Sequence, residues 1–487
     1  MTQNTPEYRL TLSDLLLMSR KFARNEDGMV TMFACFMIFC MLMIGGIGVD
    51  MMRHEMERTR IQSVADRAVL AAADLDQSLD AEFVVRDYFA KSGMADFVSS
   101  VDVQQSVNSK MVTVDASTAV NTMFMDYLGV QELNVPALST AVEHREKVEI
   151  SLVLDISGSM GWNNKMANLQ DASEVFLDTV LTDDNRDMIS VSIAPYTAHT
   201  NAGPHIFQYL DTNQTHDWSH CIEFEDEDFD NTYIYFGNTP DRGPYEHMQH
   251  FMRGWTWPGW HGGADTISNP SCPKEDFETV YAFSQNKQAL KDRINDLQPR
   301  ANTAIHLGMK WGVAMLNPEW RKFNAVLPAE AGVDPAFRDR PADFVNPDAP
   351  EESDTIKTVV LMTDGENVTT QRIANQYYQV YNHWLHWSNY PLDAYLNRYV
   401  RYSDHWRWRY TKYTPSQADN LLDRVCDAAK NRGIIIWTIA FEAPVHGENV
   451  MRNCASSPSH FFAVDGNEIT DAFSAIADQI NMLRLTQ

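Results

Sequence analysis

The sequence predicts an α/β domain, with a mostly parallel sheet covered by helices on both faces, preceded by one apolar helix and a small α+β module. Short apolar runs alternate with longer helical periods from about residue 147 to the end, the pattern of strands joined by crossover helices. The run Ile434 to Phe441 is almost continuously apolar, as a parallel strand covered on both faces requires. Two further strand-like runs, Val148 to Leu154 and Thr355 to Thr363, each end abruptly in a carboxylate, Asp155 and Asp364. Ligand sites in open α/β sheets lie at such carboxyl ends.

Strands are expected at Val148 to Leu154, Met188 to Ile193, Thr358 to Met362, Ile434 to Phe441 and His460 to Val464. Helices are expected at about Lys165 to Val180, Lys287 to Leu297, Thr303 to Leu316, Ser416 to Asn431 and Glu468 to Leu483. Ahead of them, residues 77–146 read as a connecting module without chemistry of its own. Ala81 to Lys91 is helix-like, Val101 to Gln105 and Met111 to Ala116 alternate as strands do, and Thr118 to Leu128 reads as helical before Leu133 to Val142.

Acidic residues outnumber basic ones by 66 to 39, a formal net charge of −27. A chain so charged repels nucleic acid and anionic membrane surfaces, which excludes a phosphate-backbone partner. The sequence contains no Walker A loop, HExxH or GxSxG. Ser159 follows Ser157 where a hydrolase nucleophile elbow needs glycine.

The tail, residues 1–28, carries Arg9, Arg20, Lys21 and Arg24; Met29 to Val49 then carries no charge at all. At 1.5 Å per residue that run crosses a bilayer core of roughly 30 Å. It is too long, and lacks the small-residue cleavage site, for a secretory signal peptide. The helix continues past Asp50, because Ile61, Val64, Ala65, Ala68, Ala72 and Leu75 recur at three- and four-residue spacing. Orientation is ambiguous from Arg53, Arg58 and Arg60, which follow the span. Cysteines help. Cys35 and Cys40 lie inside the apolar run, while Cys221, Cys272, Cys426 and Cys454 all fall beyond residue 200. Four cysteines allow three pairings, or four reduced thiols; nearest-in-sequence pairing joins Cys221 to Cys272 and Cys426 to Cys454. Disulfides would place the large C-terminal part outside the cytoplasm.

The segments Phe22 to Gly28, Gly48-Val49-Asp50 and Gln62 to Ala68, together with the span between them, resemble the N-terminal module of TadE/TadG-like proteins of tight-adherence (Flp) pilus assembly. In prepilin-like members a Glu stands five residues after the cleavage-point Gly; here Phe33 holds that place after Gly28, so a retained anchor is expected.

Asp155-Ile156-Ser157-Gly158-Ser159, the loop Arg300-Ala301-Asn302-Thr303 and the Asp364-Gly365 turn together resemble the metal-ion-dependent adhesion site (MIDAS) of von Willebrand factor A (vWA) domains. The matching positions are Asp155, Ser157, Ser159, Thr303 and Asp364. These hard oxygen donors suit Mg²⁺, with Mn²⁺ or Ca²⁺ as alternatives. The resemblance implies a Rossmann-like vWA domain over 147–487, Ser157, Ser159 and Thr303 as direct ligands, and Asp155 and Asp364 acting through water. It also implies a partner whose Asp or Glu completes the metal shell.

Three insertions enlarge that domain, at about 198–278, 318–352 and 372–414. In the first, Glu223 to Asp230 reads as a solvated acidic face, without the spacing of a calcium loop. Trp255 to His261 reads as loop packing or as a stacking platform for a glycan or peptide. His216, His220 and Cys221 lack a fourth ligand for zinc. The second insertion is expected to lie over the surface. The third, dense in Tyr, Trp, His and Arg, is either an interaction surface or a subdomain core.

The expectation is a TadG-like, single-pass protein of a bacterial inner membrane, with a cytoplasmic N-terminus, the bulk of the chain periplasmic, and no enzymatic activity. Its partners would be other Tad/Flp components or envelope proteins. The alternatives are a minor pilin-like subunit of the fibre and a metal-assisted hydrolase with Glu366 as base.

Overall fold

The computed structural model describes residues 16–21, 27–75, 77, 79–105, 109–144, 146–238, 242–256, 264–344, 355–379 and 383–486. The readings made on Trp257 to His261, on most of the tail and on 345–352 lie outside them. The chain divides into two compact units, Met1–His144 and Arg145–Gln487.

The first unit is built on one unbroken helix, α1 (Asp27–Ala73), which is long and apolar enough over its first half to cross a membrane. Its second half buries Ile61, Ala65, Ala68, Val69 and Ala72 against α2 (Ala81–Lys91) and a three-stranded antiparallel sheet, β1 (Val98–Gln105), β2 (Ser109–Asn121) and β3 (Glu132–His144). Small residues at helical spacing let the sheet approach α1 closely, with Val112, Val114 and Val135 filling the gap. The helix expected over Thr118 to Leu128 is not formed. Thr118 to Asn121 extend β2 in a 13-residue ladder with β3, and Met125–Leu128 make only one 3₁₀ turn. Thr118 and Val120 favour a strand, and the cross-strand pairing outweighs the local helical spacing.

The second unit centres on a six-stranded sheet formed by β4 (Lys147–Asp155), β5 (Ile189–Tyr196), β6 (Tyr281–Ser284), β7 (Thr355–Thr363), β8 (Ile435–Phe441) and β9 (Phe461–Val464). Their order is β9-β8-β7-β4-β5-β6, all parallel except β6, which runs antiparallel to β5. Alternation along β4 divides the core. Ile150, Leu152 and Leu154 face α3 (Lys165–Val180), α4 (Lys287–Asn295) and α8 (Glu468–Thr486). Val153 faces the layer holding α5 (Ile305–Met315), α6 (Pro415–Lys430) and α7 (Val445–Cys454). Every residue of α5 is buried, so it serves as a core helix between sheet and insertions. The architecture is a Rossmann-like, mostly parallel sheet with helices on both faces, the fold class expected from the sequence.

The insertions depart from expectation. The second does not lie over the surface: Trp320, Phe323, Leu327 and Phe337 are buried in the α5 layer, and Trp320 meets Trp311 edge to face. Its Arg340 reaches under the sheet and donates to Ser190 Oγ at 2.8 Å and to the Met188 carbonyl at 2.8 Å. The acidic run is a solvated face only in part. Phe224 and Phe229 point into the core, Glu223 pairs with buried Arg372, Asp228 with Arg242, and Asp230 with Arg424 at 2.6 Å. The apolar spacing within that run pulls Glu223 and Asp228 inward, where each meets a guanidinium, while Glu225, Asp226, Glu227 and Asp230 stay exposed. The third insertion is partly core: Trp387, Leu392 and Leu396 pack on Met248, Phe251 and the Cys221–Cys272 disulfide, while Tyr402 and Trp406 stay exposed. A second disulfide, Cys426–Cys454, ties α6 to α7.

Candidate metal centre

The candidate site lies at the carboxyl ends of β4, β7 and β8. Asp155 is the last residue of β4, and burial removes it from solvent entirely. Its Oδ1 accepts the Ser157 N–H at 2.7 Å and its Oδ2 accepts the Thr363 hydroxyl at 2.6 Å. Asp155 thus fixes the loop through one oxygen and ties it to the end of β7 through the other. Ser157 Oγ lies 3.0 Å from Ser159 Oγ, and the Ser159 hydroxyl donates to Asp364 Oδ1 at 2.6 Å.

The loop holds its shape through backbone bonds to 300–301. The Gly158 N–H donates to the Ala301 carbonyl at 3.1 Å and the Arg300 N–H to the Ile156 carbonyl at 2.8 Å. A Cβ on Gly158 would stand 3.0 Å from that Ala301 oxygen, so this close approach favours glycine. Thr303 is buried with its hydroxyl beside Gly365, and its carbonyl accepts the Val368 N–H at 3.2 Å. Asn367 then caps α5, accepting the Ile305 N–H at 2.8 Å. The structure therefore brings Asp155, Ser157, Ser159 and Asp364 into one hydrogen-bonded group and sets Thr303 next to it across Gly365.

Three participants were not anticipated from the sequence. Lys165, the first residue of α3, is buried with its ammonium 3.1 Å from Asp364 Oδ2 and 3.7 Å from Glu442 Oε2. Glu442 follows the end of β8, as Asp155 ends β4 and Asp364 follows β7; its Oε1 accepts the Gly466 N–H at 3.2 Å. Thr363 is the third. The available signal for Lys165 was its place: a cation in the first turn opposes the helix dipole, so it needs a nearby anion.

Burial, and then the Asp364 charge, push Asp155 up to about 7. Glu366, the base that a hydrolytic reading would need, is half-buried near His446. The His446 ring is raised first by its hydrogen bond to Asp419. Among the described residues no three His, Cys, Asp or Glu side chains converge as a metal cluster. What converges is two carboxylates and neighbouring hydroxyls, a donor set that fits a hard divalent cation. The residues considered for zinc are otherwise engaged: Cys221 is in a disulfide and His216 Nε2 faces the Met248 carbonyl at 3.0 Å.

Residues 28–75 match a family model described as putative Flp pilus-assembly TadE/G-like. No curated protein matches the chain. Among solved structures, the vWF domain of the type V pili tip protein Mfa5 from Porphyromonas gingivalis is similar at 13% identity and a TM-score of 0.36, covering 70% of this chain and 98% of that one. The pilus adhesin SpaC from Lactobacillus rhamnosus GG is similar at 13% identity and a TM-score of 0.30, covering 79% of this chain and 34% of that one. The adhesive tip pilin GBS104 from Group B Streptococcus agalactiae is similar at 11% identity and a TM-score of 0.31, covering 69% and 100%. At such identities and scores, the role of each residue rests on its own geometry. Residues 28–75 thus match the TadE/G-like Flp pilus-assembly model, and in this chain that segment is followed by an α/β unit built on a mostly parallel sheet.

Proposed function

We propose that this is a membrane-anchored protein of Flp-type pilus assembly that captures a protein partner through a divalent cation held by Asp155, Ser157, Ser159, Thr303 and Asp364. The hydrogen-bonded group of Ser157, Ser159 and Asp364 at the carboxyl end of the parallel sheet is the observation that carries this reading. Ser157, Ser159 and Thr303 would hold the ion directly, and Asp155 and Asp364 would balance its charge and orient water. Bound there, Mg²⁺ would offer a Lewis-acidic position to a carboxylate of the partner. Asp155 holds the loop by accepting from Ser157 and Thr363, which keeps the serine hydroxyls together. The matched TadE/G-like segment supports other Flp components as partners, and α1 supports attachment to a membrane, with the second unit outside the cytoplasm because it carries two disulfides.

Calorimetric titration of Mg²⁺, and of Mn²⁺ and Ca²⁺, into the full-length protein in detergent tests this. One saturable site is expected, lost in Asp364→Ala and Thr303→Ala variants that still melt cooperatively. A folded wild type that takes up none of the three ions refutes it.

A further inference from the structure

We propose that the tip of the β2–β3 hairpin, residues 122–130, dips into the lipid interface beside the α1 span and rests against acyl chains and headgroups. This rests on α1 crossing a bilayer, and the test below separates the two.

The hairpin follows α1 toward its apolar end, as a series of contacts shows. Lys110 Nζ donates to the Asp74 carbonyl at 3.1 Å, Gln62 Nε2 to the Leu138 carbonyl at 3.1 Å, and Arg53 Nη1 to the Asn121 carbonyl at 3.2 Å. From position 74 to position 50 the axial descent is roughly 36 Å. At the bottom a latch closes: the Asp50 carboxylate, buried, accepts the backbone N–H groups of Met123, Phe124 and Met125 at 3.0, 2.8 and 2.9 Å. A carboxylate at a membrane boundary loses hydration, and three N–H donors replace it.

One step further down, the Phe124 ring lies on Gly46, where any Cβ would overlap it. Gly46 is inside the uncharged run Met29 to Val49, so the ring is already level with the end of the span. Beyond it the tip presents Met123, Tyr127 and Leu128, with Tyr127 83% and Leu128 61% exposed. Apolar side chains beside a span and a tyrosine at its end are the composition of a membrane interface. Exposed Asp126 limits the depth: the tip reaches the headgroup and upper acyl region and goes no deeper.

The test uses the full chain with Cys35→Ala and Cys40→Ala; the other four cysteines are paired, so a new cysteine is the sole labelling site. Nitroxides are placed by Leu128→Cys at the tip, Ile38→Cys in the span and Gln104→Cys at the far end of the sheet, in vesicles of phosphatidylcholine and phosphatidylglycerol. Collision with oxygen, which enters lipid, is compared with collision with a water-soluble nickel chelate. The oxygen-to-nickel ratio at 128 is expected to be several-fold above that at 104 and to approach that at 38. A water-like ratio at 128 beside a lipid-like ratio at 38 overturns the proposal alone, as does shielding of 128 from both agents, which would mean a protein covers the tip. A water-like ratio at 38 overturns the span itself.

Discussion

Replacing Lys165 with methionine should destabilise the metal-free protein and tighten the Mg²⁺ binding proposed for its site. The ammonium and the Asp364 carboxylate lie 3.1 Å apart, with side chains 8% and 0% exposed. At an effective dielectric of about 20 their attraction is about 5 kcal/mol before desolvation is subtracted. Removing one partner of such a buried pair costs ~3–5 kcal/mol, because the remaining charge is stranded. A loss near the lower end, in a unit of this size, corresponds to a fall in melting temperature of about 4 °C. In Lys165→Met a cation no longer has to share Asp364 with an ammonium. Recovering even a quarter of the ~5 kcal/mol is about a tenfold gain in affinity. Lys165→Arg keeps the charge and should stay near the wild type in both respects. Calorimetric melts without metal and Mg²⁺ titrations of the three proteins decide it. A Lys165→Met protein that melts with the wild type, or binds Mg²⁺ no more tightly, refutes the view that Lys165 holds the place of a cation.

Lys310 is fully buried and donates to the Asn231 carbonyl and Oδ1, both at 2.9 Å, and to the Asp228 carbonyl; burial lowers it to about 7. The unfolded chain therefore binds one more proton than the folded one between about pH 7 and the ordinary lysine value of 10.5, so stability rises with pH across that window. Urea midpoints should show this rise in the wild type and lose it in Lys310→Met. On the acid side, burial lowers His199 and His247 to about 4 from 6.5. Stability should fall as pH drops from 6.5 toward 4, and His247→Gln should flatten part of that slope in the same urea series. Cys426→Ser with Cys454→Ser opens a loop of sequence separation 28 and should cost roughly 3.5 kcal/mol on the chain-entropy estimate, read from denaturant midpoints. A change below about 1 kcal/mol would mean the α6–α7 contact holds without the bond.

The parts of this fold legible in the sequence are those whose signal is local and whose burial is two-sided. β4, β7 and β8 show as apolar runs because both faces are covered, and α2 shows through its spacing. β6 escaped notice because it is four residues long and follows a long insertion; it is an antiparallel edge strand containing Phe283 at φ 33°. The insertions misled for a different reason. Carboxylate and aromatic density describes a solvated or sticky surface only if the arginines that answer it are elsewhere, and Arg242, Arg372 and Arg424 are remote from Glu223 to Asp230 or unremarkable in sequence. In the site, the DxSxS loop is a local pattern and was legible. Glu442 and Lys165 matter only because strand order brings β8 beside β7 and the α3 N-terminus over both.

That strand order also makes an electrostatic case for a divalent ion, independent of any resemblance. β4, β7 and β8 are neighbours, so Asp155, Asp364 and Glu442 are delivered to one end of the sheet by three adjacent strands. The single ammonium of Lys165 reaches two of them, and Asp155 is left with hydroxyl and N–H donors only among its hydrogen bonds. Asp155 and Asp364 are buried near each other, and the one ammonium is shared by Asp364 with the part-exposed Glu442, which leaves this pair with a surplus of negative charge. A low-dielectric site resolves such a surplus by protonation or by a counterion, and the upward push on Asp155 shows the first route. A dication among Ser157, Ser159, Thr303 and Asp364 is the second, and it balances the surplus without removing a hydrogen bond from the loop. A monovalent cation would balance less of it, so Mg²⁺ should protect the second unit against thermal unfolding where equal ionic strength of Na⁺ does not. Equal protection by the two salts would show that only general screening acts there.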